Sequence, residues 1–287
     1  MLQGTDYMRE ELETWQLVER SIMKKYRKEL WKPFIAAVKR YELIRSDDRI
    51  AVCISGGKDS MLMAKLMQLL RRFSDFPFEL VFLVMDPGYN ALNRQKIEAN
   101  AALLHIPITV FETNIFEVAN SEDRSPCYLC ARMRRGHLYA KATELGCNKI
   151  ALGHHMNDVI ETTVMAMFYG AQLQAMPPKL HSRNFAGMEL IRPLYCIHED
   201  DILAWKRYND LEFIQCACRF TENCTACDNG GGGSKRQEIK TLIRRLKRDN
   251  PNIEKSIFRS IHSVSLDTFP GWKRKGEEHT FLEDYDD

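Results

Sequence analysis

The sequence predicts an α/β protein, a parallel sheet with helices on both faces, carrying a helical N-terminal segment and a cysteine-rich, basic C-terminal extension. Three observations predict it. Short apolar runs at 49–54, 80–85, 108–112 and 149–152 have the continuous hydrophobicity of strands buried on both faces. Between them, 60–72, 91–104 and 127–145 read as helices, with another at 156–169, and strand–helix alternation argues for a parallel sheet. Ser55-Gly56-Gly57-Lys58-Asp59-Ser60 joins an apolar run, Ile50 to Ile54, to an amphipathic one, Met61 to Leu70. A glycine-rich turn opening a helix presents backbone N–H groups and the positive end of the helix dipole to an anion.

In chain order, residues 7 to about 43 read as helical, with Pro33 the only breaker. Strand–helix alternation begins at about 48. Ligands of such sheets sit at the carboxyl ends of the strands. Three segments fall there: the Ser55–Ser60 loop, Asp86-Pro87-Gly88 and Gly153-His154-His155. Residues 171–194 read as an irregular, proline-containing connection. A helix at 198–209 and a short strand near 211–215 finish the core. A cysteine cluster, a flexible Gly230–Gly233 link and a basic helix at 235–248 follow, the helix with Ile239, Leu242, Ile243 and Leu246 on one face. The acidic end, Glu283 to Asp287, reads as a solvated tail. The expected division is 1–45 helical segment, 46–215 core domain, and 216–287 cysteine-rich and basic region.

A chain of 287 residues with 45% hydrophobic content can hold one large domain with additions. A net charge of +2 creates no global field that demands nucleic acid, so local basic runs carry more information. Met1 to Glu11 is polar and acidic, without the apolar centre of a signal peptide, and no run is long enough to span a bilayer. A cytoplasmic protein with no membrane partner is expected. Nine cysteines in that compartment point to metal rather than to a disulfide framework. Cys127 and Cys130 form one pair, and Cys216, Cys218, Cys224 and Cys227 crowd together. Cys53, Cys147 and Cys196 are isolated and read as small hydrophobes.

The loop is not a Walker A motif, which needs Gly-x-x-x-x-Gly-Lys-Ser/Thr. Its order matches SGGxDS, the PP-loop of enzymes that split ATP between the α and β phosphates. Three more segments point the same way. Pro126-Cys127-Tyr128-Leu129-Cys130 runs straight into Ala131-Arg132-Met133-Arg134-Arg135-Gly136. Leu152-Gly153-His154-His155-Met156-Asn157-Asp158 ends a strand and opens a helix. Ala175-Met176-Pro177-Pro178-Lys179-Leu180 leads to Ile191-Arg192-Pro193-Leu194. Over about residues 20–260 the chain closely resembles the TtcA family, the tRNA 2-thiocytidine synthetases, and more loosely the lysidine synthetases.

That resemblance implies an adenine nucleotide alpha hydrolase-like fold, ATP with Mg²⁺, and a 4Fe–4S cluster held by three cysteines. It also implies a tRNA substrate, in which the 2-oxo group of cytidine-32 becomes a 2-thio group. A cysteine desulfurase as sulfur donor follows from the family, and a homodimer is compatible with it. The chain departs from the family in two places. Asn157 stands where the first of two acidic residues is common, leaving Asp158. The third cluster cysteine has two possible alignments, Cys216-Ala217-Cys218 or Cys224-Thr225-Ala226-Cys227.

Gly56 and Gly57 are expected to offer backbone N–H groups to the phosphates, and Ser55 and Ser60 hydroxyls; Lys58 fills the motif's variable position. Asp59 and Asp158 are the candidates for Mg²⁺. Asp158 could instead complement its helix dipole, worth ~0.3–1 kcal/mol. Gly153 and His154 are placed at the nucleotide, with a structural histidine as the alternative. Asp86 ends the second strand where the adenosine should rest, or else forms a turn before Pro87-Gly88. Cys127 and Cys130 start a helix, whose positive end lowers thiol pKa. Cys216 is the first thiol past the strand expected near 215, with Cys218, Cys224 and Cys227 as rivals or as a separate zinc knuckle. Arg132, Arg134, Arg135 and Lys179 are candidates for tRNA phosphates. Two other readings stand beside thiolation of cytidine. One is another PP-loop tRNA ligase, of 2-thiouridine or lysidine type. The other is a metal-stabilised, non-catalytic tRNA-binding protein. The CxxC argues against amine ligation, which needs no cluster.

Overall fold

The computed structural model describes residues 12–116, 126–214 and 235–285. The chain divides into two compact units, Met1–Val159 with Met176–Gly233, and Ile160–Ala175 with Ser234–Asp287.

The first unit holds a six-stranded sheet of order β3-β2-β1-β4-β6-β5. Its strands are β1 (Arg49–Ile54), β2 (Glu79–Asp86), β3 (Ile108–Glu112), β4 (Lys149–Ala151), β5 (Lys179–His181) and β6 (Glu189–Ile191). All neighbours are parallel except β5, which pairs antiparallel with β6. The helices between them are α3 (Lys58–Phe73), α4 (Ala91–Leu103) and α5 (Pro126–Glu144), and α6 (Met156–Gly170) starts after β4. Successive strand residues point to opposite faces. Tyr139 and Ala142 of α5 therefore cover one face of the sheet, packed with Ala51, Cys53, Leu83, Ile150 and Leu190. The chain moves outward from β1 to β3 and then returns to β4 on the other side of β1. That reversal opens a crevice at the carboxyl ends of β1 and β4.

The region expected to be helical, 7 to about 43 with Pro33 as its breaker, comes in three pieces. Within the described residues it forms α1 (Thr14–Met23), a π segment at Arg27–Trp31, and α2 (Lys32–Arg40). Pro33 is the cause. Its ring clashes with the carbonyl four residues back and it has no N–H, so it is tolerated only in the first turn of a new helix. Helix α1 is tied to α3 by Glu19, which accepts from Lys65 Nζ and Arg72 Nη1, both at 2.8 Å. Lys65 is fully buried, and breaking such a pair by removing one partner costs about 3–5 kcal/mol.

The region expected to be irregular, 171–194, contains β5 and β6. The strand expected near 211–215 does not form over the described residues to 214, and β6 completes that side instead. Lys149 explains the substitution. Its ammonium, at the start of β4, reaches Asp48 Oδ2 at 2.9 Å, Glu189 Oε2 at 3.0 Å and the Leu43 carbonyl at 3.0 Å. It thereby pins the starts of β1, β4 and β6 with one buried charge. Helix α7 (Glu199–Tyr208) closes this unit with Ile202 and Trp205 buried.

In the second unit, α8 (Lys235–Asp249) is seated on the later turns of α6. Arg236 Nη2 donates to Thr162 Oγ1 at 3.0 Å and the Tyr169 hydroxyl to Glu238 Oε2 at 2.7 Å. Its apolar face is narrower than expected: Ile239 and Ile243 are buried, while Leu246 is exposed. Helix α9 (Ile253–Ser260) and a hairpin of β7 (Gly271–Arg274) and β8 (Glu277–Thr280) follow. Lys275 and Gly276 turn the hairpin, both at positive φ, as a two-residue type I′ turn requires. Glu283 is not merely solvated. It accepts from Thr280 N and pairs with His279 Nδ1, both at 3.0 Å.

Candidate active site

The crevice between β1 and β4 is lined by two loops that touch. Ser55 and Gly56 leave β1, and Gly57 caps α3 in extended geometry with no side chain satisfying the helix's first N–H groups. Gly56 adopts φ +82°, and a Cβ there would stand 2.5 Å from Ile97 Cγ1. Only glycine fits both the conformation and the space. Ser60 staples the turn: its Oγ accepts from Ser55 N at 3.1 Å and donates to Gly57 O at 3.0 Å. The loop after β4 comes equally close. A Cβ on Gly153 would lie 3.2 Å from Ser60 N and 3.3 Å from the Asp59 carbonyl carbon.

Asp59 sits in the first turn of α3. Its Oδ2 accepts from Lys58 Nζ at 3.1 Å, and the same ammonium reaches Glu199 Oε1 at 3.2 Å. Burial alone would lower the Lys58 pKa, but these two carboxylates raise it overall. Asp59 Oδ1 is buried and has no hydrogen-bond partner among the described residues. His155 Nε2 lies 3.8 Å from it. His155 and Asp158 exchange hydrogen bonds across the start of α6: His155 N donates to Asp158 Oδ2 at 3.0 Å, and Asp158 N donates to His155 Nδ1 at 3.4 Å. This is the reciprocal logic of a capping box. His155 Nδ1 also lies 3.5 Å from Asp158 Oδ2.

An orphaned carboxylate oxygen beside unfilled helix N–H groups suits a hard divalent cation held together with phosphate. Mg²⁺ is commonly bound by one or two carboxylates plus substrate phosphate oxygens. Asp59 fits that role through Oδ1. Asp158 has one oxygen committed to its own helix start.

Residues 21–219 match the PP-loop domain family. A tRNA-cytidine(32) 2-sulfurtransferase of Citrifermentans bemidjiense is 36% identical over 232 residues, covering 79% of this chain and 87% of the relative. The chain belongs to the tRNA-cytidine(32) 2-sulfurtransferase family of PP-loop enzymes. A relative of the same name from Cellvibrio japonicus is 34% identical over 253 residues, covering 87% of this chain and 80% of its own. A solved U34-tRNA thiolase, NcsA of Methanococcus maripaludis with its [4Fe-4S] cluster, shares the fold. Its TM-score is 0.64 at 20% identity, over 89% of this chain and 82% of that one.

In this member of the sulfurtransferase family the remaining sequence-derived residues fall as follows. Asp86 is fully engaged. Its Oδ1 accepts from Gly88 N at 2.8 Å and Tyr89 N at 2.7 Å, and its Oδ2 from Arg94 Nη1 at 2.8 Å. Burial alone would raise its pKa, but these bonds hold it below the ordinary range. His154 is half-buried, beside the more buried His155. Asn157, the departure from the family pattern, accepts from Glu199 N at 2.9 Å and so anchors the start of α7 to this rim. Lys179 donates to Glu42 O at 3.0 Å. On α5, Arg132 and Arg135 are exposed and Arg134 is half-buried.

Cys127 and Cys130 lie in the first turn of α5, one helical turn apart, which places them on one face. Their side chains lie outside the described residues, as do Cys216, Cys218, Cys224 and Cys227. Thiolates three apart on a helix suit a soft metal or an iron–sulfur cluster. Cys53 and Cys147 are buried and Cys196 half-buried, all three as free thiols.

Sequence reasoning missed His155 and Glu199. The spacing of His155 three residues before Asp158 was available as a capping signal. Glu199 approaches Lys58 from 141 residues away, and no local pattern announces it.

Proposed function

We propose that this protein thiolates cytidine-32 of the tRNA anticodon loop, using ATP to activate the 2-oxo group. Cytidine O2 attacks the α-phosphate of ATP and pyrophosphate leaves. Sulfide then attacks C2, and AMP departs carrying the former oxygen. Phosphoryl transfer of this kind needs positioning and charge stabilisation more than covalent help. Ser55, Gly56, Gly57 and Ser60 cradle the phosphates, Lys58 adds a positive charge, and Gly153 and His154 close the crevice opposite. Asp86 shapes the turn next to the adenosine. Asp59 holds Mg²⁺ with Asp158 as its partner, and the ion, when bound, neutralises phosphate charge. His155 keeps Asp59 and Asp158 in register.

A 4Fe–4S cluster held by Cys127, Cys130 and Cys216 supplies a soft iron site for the sulfur when bound. Cys218, Cys224 and Cys227 are the alternative third ligands, or a zinc knuckle. Arg132, Arg134, Arg135 and Lys179 contact tRNA phosphates. A cysteine desulfurase supplies the sulfur, the protein acts in the cytoplasm, and it can pair as a homodimer. Among the described residues no helix is long and apolar enough to cross a membrane. The proposed division is a helical segment at 1–45, the PP-loop core at 46–215 and a cysteine-rich, basic extension at 216–287.

The strand order supports the reading, because it brings the PP-loop and the start of the CxxC helix to one rim of the sheet. Strand β3 ends at that rim, and α5 must run back from it to reach the start of β4, so Cys127 and Cys130 begin at the carboxyl edge that holds Asp59. The test is anaerobic purification with iron, sulfide and zinc analysis, followed by tRNA-dependent AMP and pyrophosphate release. Cys127→Ala and Cys130→Ala should lose the visible absorbance and keep adenylation. Colourless, iron-free wild-type protein, or zinc alone, contradicts the reading.

A further inference from the structure

Arg192 is the feature of this rim that the reaction as described leaves unexplained. It is the first residue after β6, and Leu152 N donates to Ile191 O at 3.0 Å. Strands β4 and β6 thus stay paired to their ends, and Leu152 and Arg192 leave the sheet side by side, one residue before Gly153, which packs against the Asp59–Ser60 backbone.

Arg192 is 7% exposed. Its backbone N–H donates to Pro178 O at 2.9 Å and its Nη1 to Pro177 O, which fixes the side chain against the Met176–Lys179 segment. Its Nε is buried and has no hydrogen-bond partner among the described residues. A buried donor left unpaired costs about 1–3 kcal/mol, and more when charged. Among the charged and titratable groups that act on it electrostatically are Tyr195, Arg135, Tyr139 and Asp158. Asp158 is the only carboxylate among these groups, and its Oδ2 accepts from His155 N at the start of its own helix. Burial first, and the Arg135 charge in addition, push the Arg192 pKa down to about 10, which an anion would reverse.

With Nη1 taken by a carbonyl, the Nε side of the fork is the edge left for a ligand. That edge is the side-on face by which arginine grips phosphate. We propose that Arg192 is a phosphate-binding residue of this site, its Nε edge taking a phosphate oxygen of a substrate at the β4–β6 rim. This rests on the thiolation reading, which supplies two sources of that one chemistry, the phosphates of ATP and the backbone of the tRNA next to the reacting base.

The experiment compares full-length Arg192→Gln and Arg192→Lys with wild type. It measures Mg-ATP binding by calorimetry and tRNA binding at several salt concentrations, with circular-dichroism melting as the check on folding. Arg192→Gln should weaken one of the two ligands by about tenfold or more. Arg192→Lys should recover part of it, because it keeps the charge and loses the fork. A loss confined to ATP assigns the nucleotide phosphate. A loss confined to tRNA, with the salt slope shallower by about 0.7–0.9, assigns an RNA phosphate. Folded variants that bind both ligands as wild type does overturn the proposal. So does failure of both variants to fold, which would make the guanidinium a structural clamp on Pro177. Wild-type protein that binds neither ligand would instead sink the thiolation reading, a separate outcome.

Discussion

Gly56 is where the fold and the nucleotide site make the same demand, so Gly56→Ala should be costly and Gly57→Ala should not. At Gly56 the backbone has φ +82°, a left-handed conformation that costs an L-residue ~1–2 kcal/mol. The new methyl would also stand 2.5 Å from Ile97 Cγ1 and 2.7 Å from Ile214 Cδ1. Ile97 is fully buried and branches at that atom's root, so it cannot swing away. Forcing an extra methyl into such a place costs ~1–3 kcal/mol. The sum is roughly 2–5 kcal/mol. At Gly57 the backbone is extended, and a methyl would meet Ser55 Oγ at 3.7 Å and Ile214 O at 3.8 Å, ordinary contacts. Its cost is the helix-cap difference alone, up to about 1 kcal/mol. Urea unfolding measures both, with Mg-ATP calorimetry on whatever remains folded. Equal midpoints for the two variants, or a wild-type midpoint for Gly56→Ala, would refute the reasoning.

Three further outcomes follow from the same geometry. Asp59→Asn should leave the melting temperature nearly unchanged and cut pyrophosphate release by on the order of 10²-fold, since it removes charge at the proposed Mg²⁺ contact; unimpaired release would remove Asp59 from that role. Gly153→Ala must push the Ser60 amide by a few tenths of an ångström. It should weaken Mg-ATP binding about tenfold, because small misplacements of a positioned site are expensive; calorimetry showing unchanged affinity would contradict the close packing of the two loops. Asp86→Asn should cost about 1–3 kcal/mol at pH 7. The carboxylate pKa is held below its ordinary 3.8 in the folded protein, so the stabilisation is present above that value and is lost as pH falls through the folded pKa. Unfolding curves of variant and wild type should therefore converge as pH falls below the folded-state pKa, and a gap that does not narrow as pH falls below 3.8 would show that charge is not the cause.

Much of the catalytic core was legible because its strands are short apolar runs bounded by turn residues. Ile108–Glu112 fell where the pattern placed it, and the starts of β1 and β4 did too. The SGGxDS order announced the PP-loop because Gly56 and Ser60 have steric and hydrogen-bonding jobs that depend on those residue types. What stayed hidden was long-range. β6 has three residues, too few for any period, and its place is set by Lys149 pairing with Glu189 and Asp48. The expected strand near 211–215 was an apolar segment, Leu211 to Ile214, that packs Leu211 and Phe213 inward without joining the sheet. Pro33 was noticed, but its consequence, a π segment and a restarted helix, depends on packing around Leu30 and Trp31. His155 was passed over for its neighbour because only the three-dimensional approach of Asp59 distinguishes the two. Glu199 meets Lys58 across 141 residues, a contact that tertiary structure alone creates.

The most direct measurement is nucleoside mass spectrometry. Anaerobically prepared protein is incubated with Mg-ATP, a sulfide source and tRNA that bears an unmodified cytidine-32. Digestion of the product should yield 2-thiocytidine, in an amount that requires ATP and matches the AMP released, and Asp59→Asn should yield none. Sulfur found on uridine, an amine adduct on cytidine, or AMP release with no thionucleoside at all would contradict the account.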